Sequence, residues 1–205
     1  MFLPNRHNLW FRLLFALATM ALFVLGYQWG NQHRQGATGP LQIGGVLIQP
    51  PGEIPDFSFK DPFGRPVART DLDAGWTLLA FGDLADASGQ RAVRRLIDVN
   101  NRLADQRGLL EKLGLVLITG DGNSTLARDF ARLSPALRLL GGTPDEIAPL
   151  RDALGLPTQD SPTLFVIAPG GHLLALFPET QDGGAMAEDL KAILANAHTL
   201  LPETP

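Results

Sequence analysis

The 205-residue chain contains no cysteine. That absence excludes disulfides, thiolate nucleophiles, zinc–thiolate centres and thiolate copper sites. It does not fix a compartment, because exported proteins need not carry disulfides. A clustered basic face is missing too, and the formal net charge is −4, which argues against a nucleic-acid surface. The four histidines, His7, His33, His172 and His198, are scattered without ligand spacing, so each reads as solvent-exposed. Ser88 and Ser161 have no histidine near them in sequence to serve as a base, which speaks against a serine hydrolase. There is no glycine-rich phosphate cradle with its lysine, and no internal repeat.

What is present begins with a long apolar run. From Leu13 to Gly26 the only polar residue is Thr19, and Leu9, Trp10 and Phe11 extend the run across Arg12. A bilayer-spanning helix needs about 20 apolar residues, and 9–30 supplies them if Arg12 reaches to the interface. Trp10, Tyr27 and Trp29 stand near the two ends, where an aromatic belt belongs. A cleaved signal peptide is the alternative, but Tyr27-Gln-Trp-Gly-Asn-Gln offers no A-x-A-like site. The expectation is an uncleaved single-pass anchor. Arg6 and Arg12 precede the span, a slight bias toward residues 1–8 in the cytoplasm and an exported domain behind the anchor. Residues 31–52, polar and then proline-containing, read as a stalk, and 199–205 as a tail.

The folded part is organised around Gly75 to Gln90. Trp76–Phe81 is an apolar run of strand length, with Thr77 its one polar residue, between two glycines, the pattern of a strand buried on both faces. A polar loop from Asp83 to Gly89 leads into a helical pattern with Val93, Leu96, Ile97 and Leu103 on one face. Such a strand–loop–helix joint aims free backbone N–H groups at whatever sits in the loop. Upstream, Phe57-Ser-Phe-Lys-Asp and Val67–Arg69 flank a turn and read as short strands. Downstream, Leu115–Thr119 is a second apolar strand, Ser124 caps a helix, and Gly108 marks the stop of the helix before it. Thr143-Pro-Asp-Glu146 is a capping box with proline at the first helical position. Thr163–Ala168 and His172–Phe177 form a closing hairpin, and Met186, Leu190, Ile193 and Ala197 line a last helix. Strands alternating with helices and ending in a hairpin plus helix predict an α/β, thioredoxin-like sheet over 53–198. Pro162, just before the hairpin, stands where that fold places a cis-proline facing the active loop.

These segments resemble the Sco/SenC family of membrane-anchored assembly factors for cytochrome c oxidase. The resemblance runs from about Ile48 to Ala197. It rests on Pro55-Asp-Phe-Ser-Phe-Lys-Asp with Gly64, Gly75-Trp-Thr-Leu-Leu-Ala-Phe-Gly82, Leu140-Gly-Gly-Thr-Pro-Asp-Glu-Ile147 and Leu164-Phe-Val-Ile-Ala-Pro-Gly-Gly171. The family carries a C-x-x-x-C pair after the central strand and a histidine before the closing strand, which together bind copper. Counting from Phe81-Gly82, the cysteine positions fall on Asp86 and Gln90; counting back from the closing strand, the histidine position falls on Asp160. All three ligands are replaced by hard or weak donors.

The resemblance therefore implies the fold and the pathway but not the copper chemistry. It implies a bacterial inner-membrane protein with its domain in the periplasm, an assembly or binding module rather than an enzyme, with no cofactor of its own. Its partner would be an oxidase subunit or assembly factor, with Asp83, Ser88, Arg91 and Pro162 as the contact loop. The alternative is a thioredoxin-like carrier, or a degenerate thiol-disulfide or peroxide reductase relative, with an unknown ligand. Asp86 and Asp160 read either as a residual carboxylate pair or as two solvated loop acids; a hard cation needs more oxygen ligands than they supply. Asp121-Gly-Asn123 hints at a calcium loop, but the twelfth position is Arg132, so it reads as a turn. Arg91, Arg94 and Arg95 form either a solvated face or a seat for an acidic partner.

Overall fold

Every residue from Trp76 to Phe81 is buried, and the sheet is assembled outward from that strand. The computed structural model describes residues 14–24, 41–120, 122, 124–156 and 161–201. In chain order the strands are β1 (Val46–Glu53), β2 (Ser58–Lys60), β3 (Pro66–Ala68), β4 (Trp76–Phe81), β5 (Leu113–Thr119), β6 (Leu137–Gly141), β7 (Leu164–Ala168) and β8 (His172–Phe177). Residues 14–24 are helical and are called α1. The remaining helices are α2 (Ala87–Arg102), α3 (Arg107–Leu110), α4 (Thr125–Leu133), α5 (Pro144–Ala153), α6 (Gly183–Ala195) and α7 (Ala197–Leu200). The chain divides into two units, 1–40 and 41–205.

The strands of the second unit form one eight-stranded sheet in the order β1-β8-β7-β4-β5-β6-β2-β3. β4, β5 and β6 run parallel, so each successive pair needs a crossover, supplied by α2 with α3 and then by α4. β7 lies antiparallel to β4, and β8 to β7, as the closing hairpin predicts.

Strand periodicity then sorts the central side chains between two apolar layers. On one face Leu78, Ala80, Leu117 and Val166 pack with Leu96 and Val99 of α2 and Leu190 and Ile193 of α6. On the other, Leu79, Phe81, Ile118 and Phe165 pack with Phe59 of β2 and Ile147 and Leu150 of α5. Burying each such side chain stabilises the fold by roughly 1.5–3 kcal/mol. The α/β, thioredoxin-like architecture expected from the sequence is the one observed.

The caps are also where the residue types require them. Ser124 accepts a hydrogen bond from Ala127 N at 3.1 Å. At α5, Glu146 N donates to Thr143 Oγ1 at 3.4 Å, and Thr143 N donates to Glu146 Oε2 at 2.7 Å, closing the capping box.

Several boundaries differ from the sequence reading. The stretch read as the end of a stalk is β1, which pairs with β8. Leu47 packs against one apolar layer and Ile48 against the other, while Pro50 and Pro51 are tolerated because the strand lies at the sheet edge, where a missing N–H costs no ladder bond. Gly108 does not stop the long helix: α2 ends at Arg102, and Gly108 lies inside α3. The tail expected from residue 199 instead begins in α7, whose Leu200 is buried. The cis peptide among the described residues is Gln49–Pro50, and Ser161–Pro162 is not cis. Trans is the default of X–Pro bonds by about 0.5–1 kcal/mol, and Pro162 keeps it.

In the first unit, α1 carries exposed Leu14, Phe15, Leu22 and Phe23, and Thr19 Oγ1 donates to Phe15 O at 2.8 Å. Among the described residues no helix is long and apolar enough to cross a membrane. Half of the expected 9–30 span, 9–13 and 25–30, lies outside the described residues.

Asp182 caps α6, accepting from Gly184 N at 2.8 Å and Ala185 N at 3.1 Å. Those N–H groups favour the charged carboxylate and hold its pKa below the ordinary value, against a smaller opposing effect of desolvation. A depressed carboxyl contributes stability that is complete above its unfolded pKa of about 3.9 and disappears as pH falls through the lower folded value. Comparing Asp182→Asn with the parent by chemical unfolding between pH 7 and pH 2 should show a shallower loss of stability in the variant below pH 4. Equal slopes would mean that the cap does not titrate in this way.

Candidate functional site

The joint between β4 and α2 is built on two glycines. Gly82 N donates to Ile118 O at 3.0 Å, which keeps the chain in the sheet for one residue beyond β4. A Cβ placed on Gly82 would stand 2.5 Å from Gly89 Cα, and one on Gly89 would collide with the Asp83 backbone carbonyl. Backbone therefore packs directly on backbone, a separation only glycine permits. Between them, Asp83 Oδ1 accepts from Ala85 N at 3.1 Å and Asp83 O from Asp86 N at 3.0 Å, a local turn of the kind aspartate favours.

Asp86 is the N-cap of α2 in extended conformation, and its side chain makes no capping bond. Gln90 N donates to Asp86 O at 3.0 Å, the first α-helical bond. The two residues are thus four apart on one helix face, the spacing at which side chains meet. Gln90 Nε2 donates to Leu84 O at 3.3 Å, so this side chain ties down the loop. Asp160 lies outside the described residues.

A cavity of about 410 Å³ opens beside the loop, at the C-terminal ends of the parallel strands β4 and β5. In open α/β sheets that is where ligands collect. Its apolar floor is Phe81, Ile118, Ile147 and Leu156, and its rim carries Asp83, Asp86, Arg151 and Asp152. The Arg151 guanidinium carbon stands 5.5 Å from the centre of the Phe81 ring, within cation–π range. Of the residues singled out in the sequence, Asp83 and Asp86 line the cavity, whereas Ser88, Gln90, Arg91 and Pro162 do not. Pro162 is buried. β4 and β7 pair Leu79 with Phe165, and that register carried three residues further sets Gly82 opposite Pro162.

The arginines resolve into separate roles. Arg91 Nε lies 3.3 Å from Glu179 Oε1 in an exposed ion pair. Arg95 instead reaches into the connection between β8 and α6. It donates to the carbonyls of Pro178 at 2.7 Å, Gln181 at 3.1 Å and Phe177 at 3.4 Å, and to that of Glu179. Burial lowers its pKa, and the Glu179 charge opposes the shift. Its Nε is buried with no hydrogen-bond partner. Arg95 is a clamp on that loop, not a seat for an acidic partner.

The far wall of the cavity is not evident from the strand–loop–helix pattern in the sequence. Ile147, Ala148, Arg151 and Asp152 come from one face of α5, and their i, i+4 spacing is the signal that would have grouped them. Among the described residues, no group of three or more histidine, aspartate or glutamate side chains is placed to hold a metal ion.

No protein-family model matches the sequence, and no curated protein does. Solved structures do match the fold. The chain is similar to Arabidopsis thaliana ScoI with copper bound, at a TM-score of 0.60 and 18% identity, over 69% of this chain and 98% of that one. It is similar to apo Sco1 from Thermus thermophilus at a TM-score of 0.59 and 18% identity, over 79% and 99% of the two chains. BsSco, described as a member of the Sco family of cytochrome c oxidase assembly proteins, matches at 0.57 and 13% identity, over 74% and 98%. The fold is that of the Sco proteins, the family that the sequence resembles. Copper itself does not suit the donors found here: Asp86 offers hard oxygen, and the Gln90 amide is a weak ligand already engaged with Leu84.

In an ordinary helix, replacing glycine by alanine gains about 0.5–1 kcal/mol. At Gly89 the sign should reverse, because the added methyl must displace the Asp83 backbone, and overpacking of this kind costs about 1–3 kcal/mol. Gly108→Ala in α3, where a Cβ meets nothing within 4 Å, is the control. Thermal unfolding should give a lower Tm for Gly89→Ala and no loss for Gly108→Ala. A neutral Gly89→Ala would show that the loop is not held by this contact.

Proposed function

We propose that this chain is a divergent Sco-like protein that acts as an assembly or binding module in cytochrome c oxidase biogenesis, without copper-binding or redox activity of its own. The anchor over 9–30 holds it in a bacterial inner membrane, with the folded unit in the periplasm. Its partner is an oxidase subunit or another assembly factor. One observation carries the reading. The chain has a Sco-like fold whose strand–loop–helix joint is held by two interlocked glycines, while the loop presents Asp86 and Gln90 in a chain with no cysteine. Thiolate is the ligand that gives copper(I) its affinity and the nucleophile of thiol-disulfide exchange, so neither activity survives its loss. What persists is a rigid surface able to hold a partner.

The full-length chain, purified in detergent, should not compete for copper(I) against a chromophoric chelator. Asp86→Cys, Gln90→Cys and Asp160→His together should introduce competition, because the first two positions are already four apart on the first turn of α2. Tight copper(I) binding by the natural chain would overturn the reading. In parallel, the tagged chain should co-purify with oxidase subunits or assembly factors from solubilised membranes, and their absence would remove the biogenesis role.

A further inference from the structure

The cavity beside the Asp83–Asp86 loop has a composition that selects among partners. Its floor is apolar and aromatic, and among the described residues its rim sets the carboxylates of Asp83, Asp86 and Asp152 against the guanidinium of Arg151. That guanidinium lies over the Phe81 ring, on the floor. Asp86 is exposed, and its carboxylate is not consumed as a helix cap. Asp83 uses Oδ1 on Ala85 N, which fixes the side chain and leaves the second oxygen for another donor. The loop carrying both acids is held by the Gly82–Gly89 contact, so the backbone that bears them is set before anything binds. The volume of about 410 Å³ falls in the range of sites that enclose a ligand or a few side chains.

We infer that this cavity docks a segment of a partner protein in which a lysine or arginine stands next to an apolar residue. The apolar side chain, with the aliphatic stem of the basic one, covers Ile147, Ile118 and Phe81. The basic head group reaches the rim and is met by Asp83 and Asp86. Long basic side chains divide in this way between apolar and polar surroundings. Excess negative charge at the rim disfavours an acidic segment, and the floor disfavours a purely polar one. The choice of a protein segment over a free amine rests on the assembly-module reading above. The chemistry of the segment rests on the cavity alone.

The test uses the full-length, detergent-solubilised chain, fluorescently labelled and applied to an array of hexapeptides in which each position is varied through all residue types. The natural chain should select peptides with lysine or arginine beside leucine, isoleucine or phenylalanine. Asp83→Asn with Asp86→Asn should lower binding to those peptides at least tenfold. Ala148→Phe, which fills the cavity from α5, should do so without changing any charge. Asp105→Asn with Glu111→Gln removes two exposed acids outside the cavity lining and should leave selection unchanged. No basic–apolar preference, an equal loss in the remote control, or normal binding by Ala148→Phe would each overturn the inference. If that happens while the natural chain still co-purifies with oxidase components, the assembly reading stands and only the cavity's role falls. If co-purification fails while the array selects as expected, the reverse holds.

Discussion

Burial of β4 on both faces is the constraint on which the remaining structure depends. A strand with no wet face must have an apolar layer on each side, so helices α2 and α6 occupy one and α5 with the β2–β3 hairpin the other. The same requirement fixes register. A slip of one residue would carry Leu78 and Ala80 into the layer of Phe59 and Ile147, and Leu79 and Phe81 into that of Leu96 and Leu190. Phe81 closes the strand and also begins the floor of the cavity. The core and the candidate site therefore share a residue, and the site inherits the rigidity of the core.

At the end of that strand the chain turns through Gly82 and Gly89, whose backbones touch. This contact holds a joint suited to a reactive side chain, and the chain fills it with aspartate and glutamine. At the same end of the sheet lies an apolar cavity with an acidic rim.

Much of the fold could be read from the sequence because its signals are local. The run Trp76–Phe81 matches β4 in both bounds, and the Thr143–Glu146 capping box starts α5 where it was expected. β1 was not legible. Its Gln-Pro-Pro-Gly stretch carries turn-forming residues, and only pairing with β8, more than a hundred residues away, makes it a strand. The site was half legible. Asp83 and Asp86 follow directly from the strand–loop–helix pattern. Ile147, Ala148 and Arg151 reach the cavity only through the packing of α5 against the sheet, which no short stretch encodes.

The two outermost strands have a consequence for how the domain meets other chains at high concentration. A sheet's free rim is a template on which another chain can add a strand, and proteins held at high local density meet such rims often. Here one rim is β1, interrupted by two consecutive prolines that cannot donate to an added strand. The opposite rim is β3, three residues long and opening with Pro66. Neither offers an incoming strand more than a few consecutive ladder bonds. The eight strands are thereby insulated from edge-to-edge polymerisation, and the faces and ends of the domain are left as the surfaces through which it can associate.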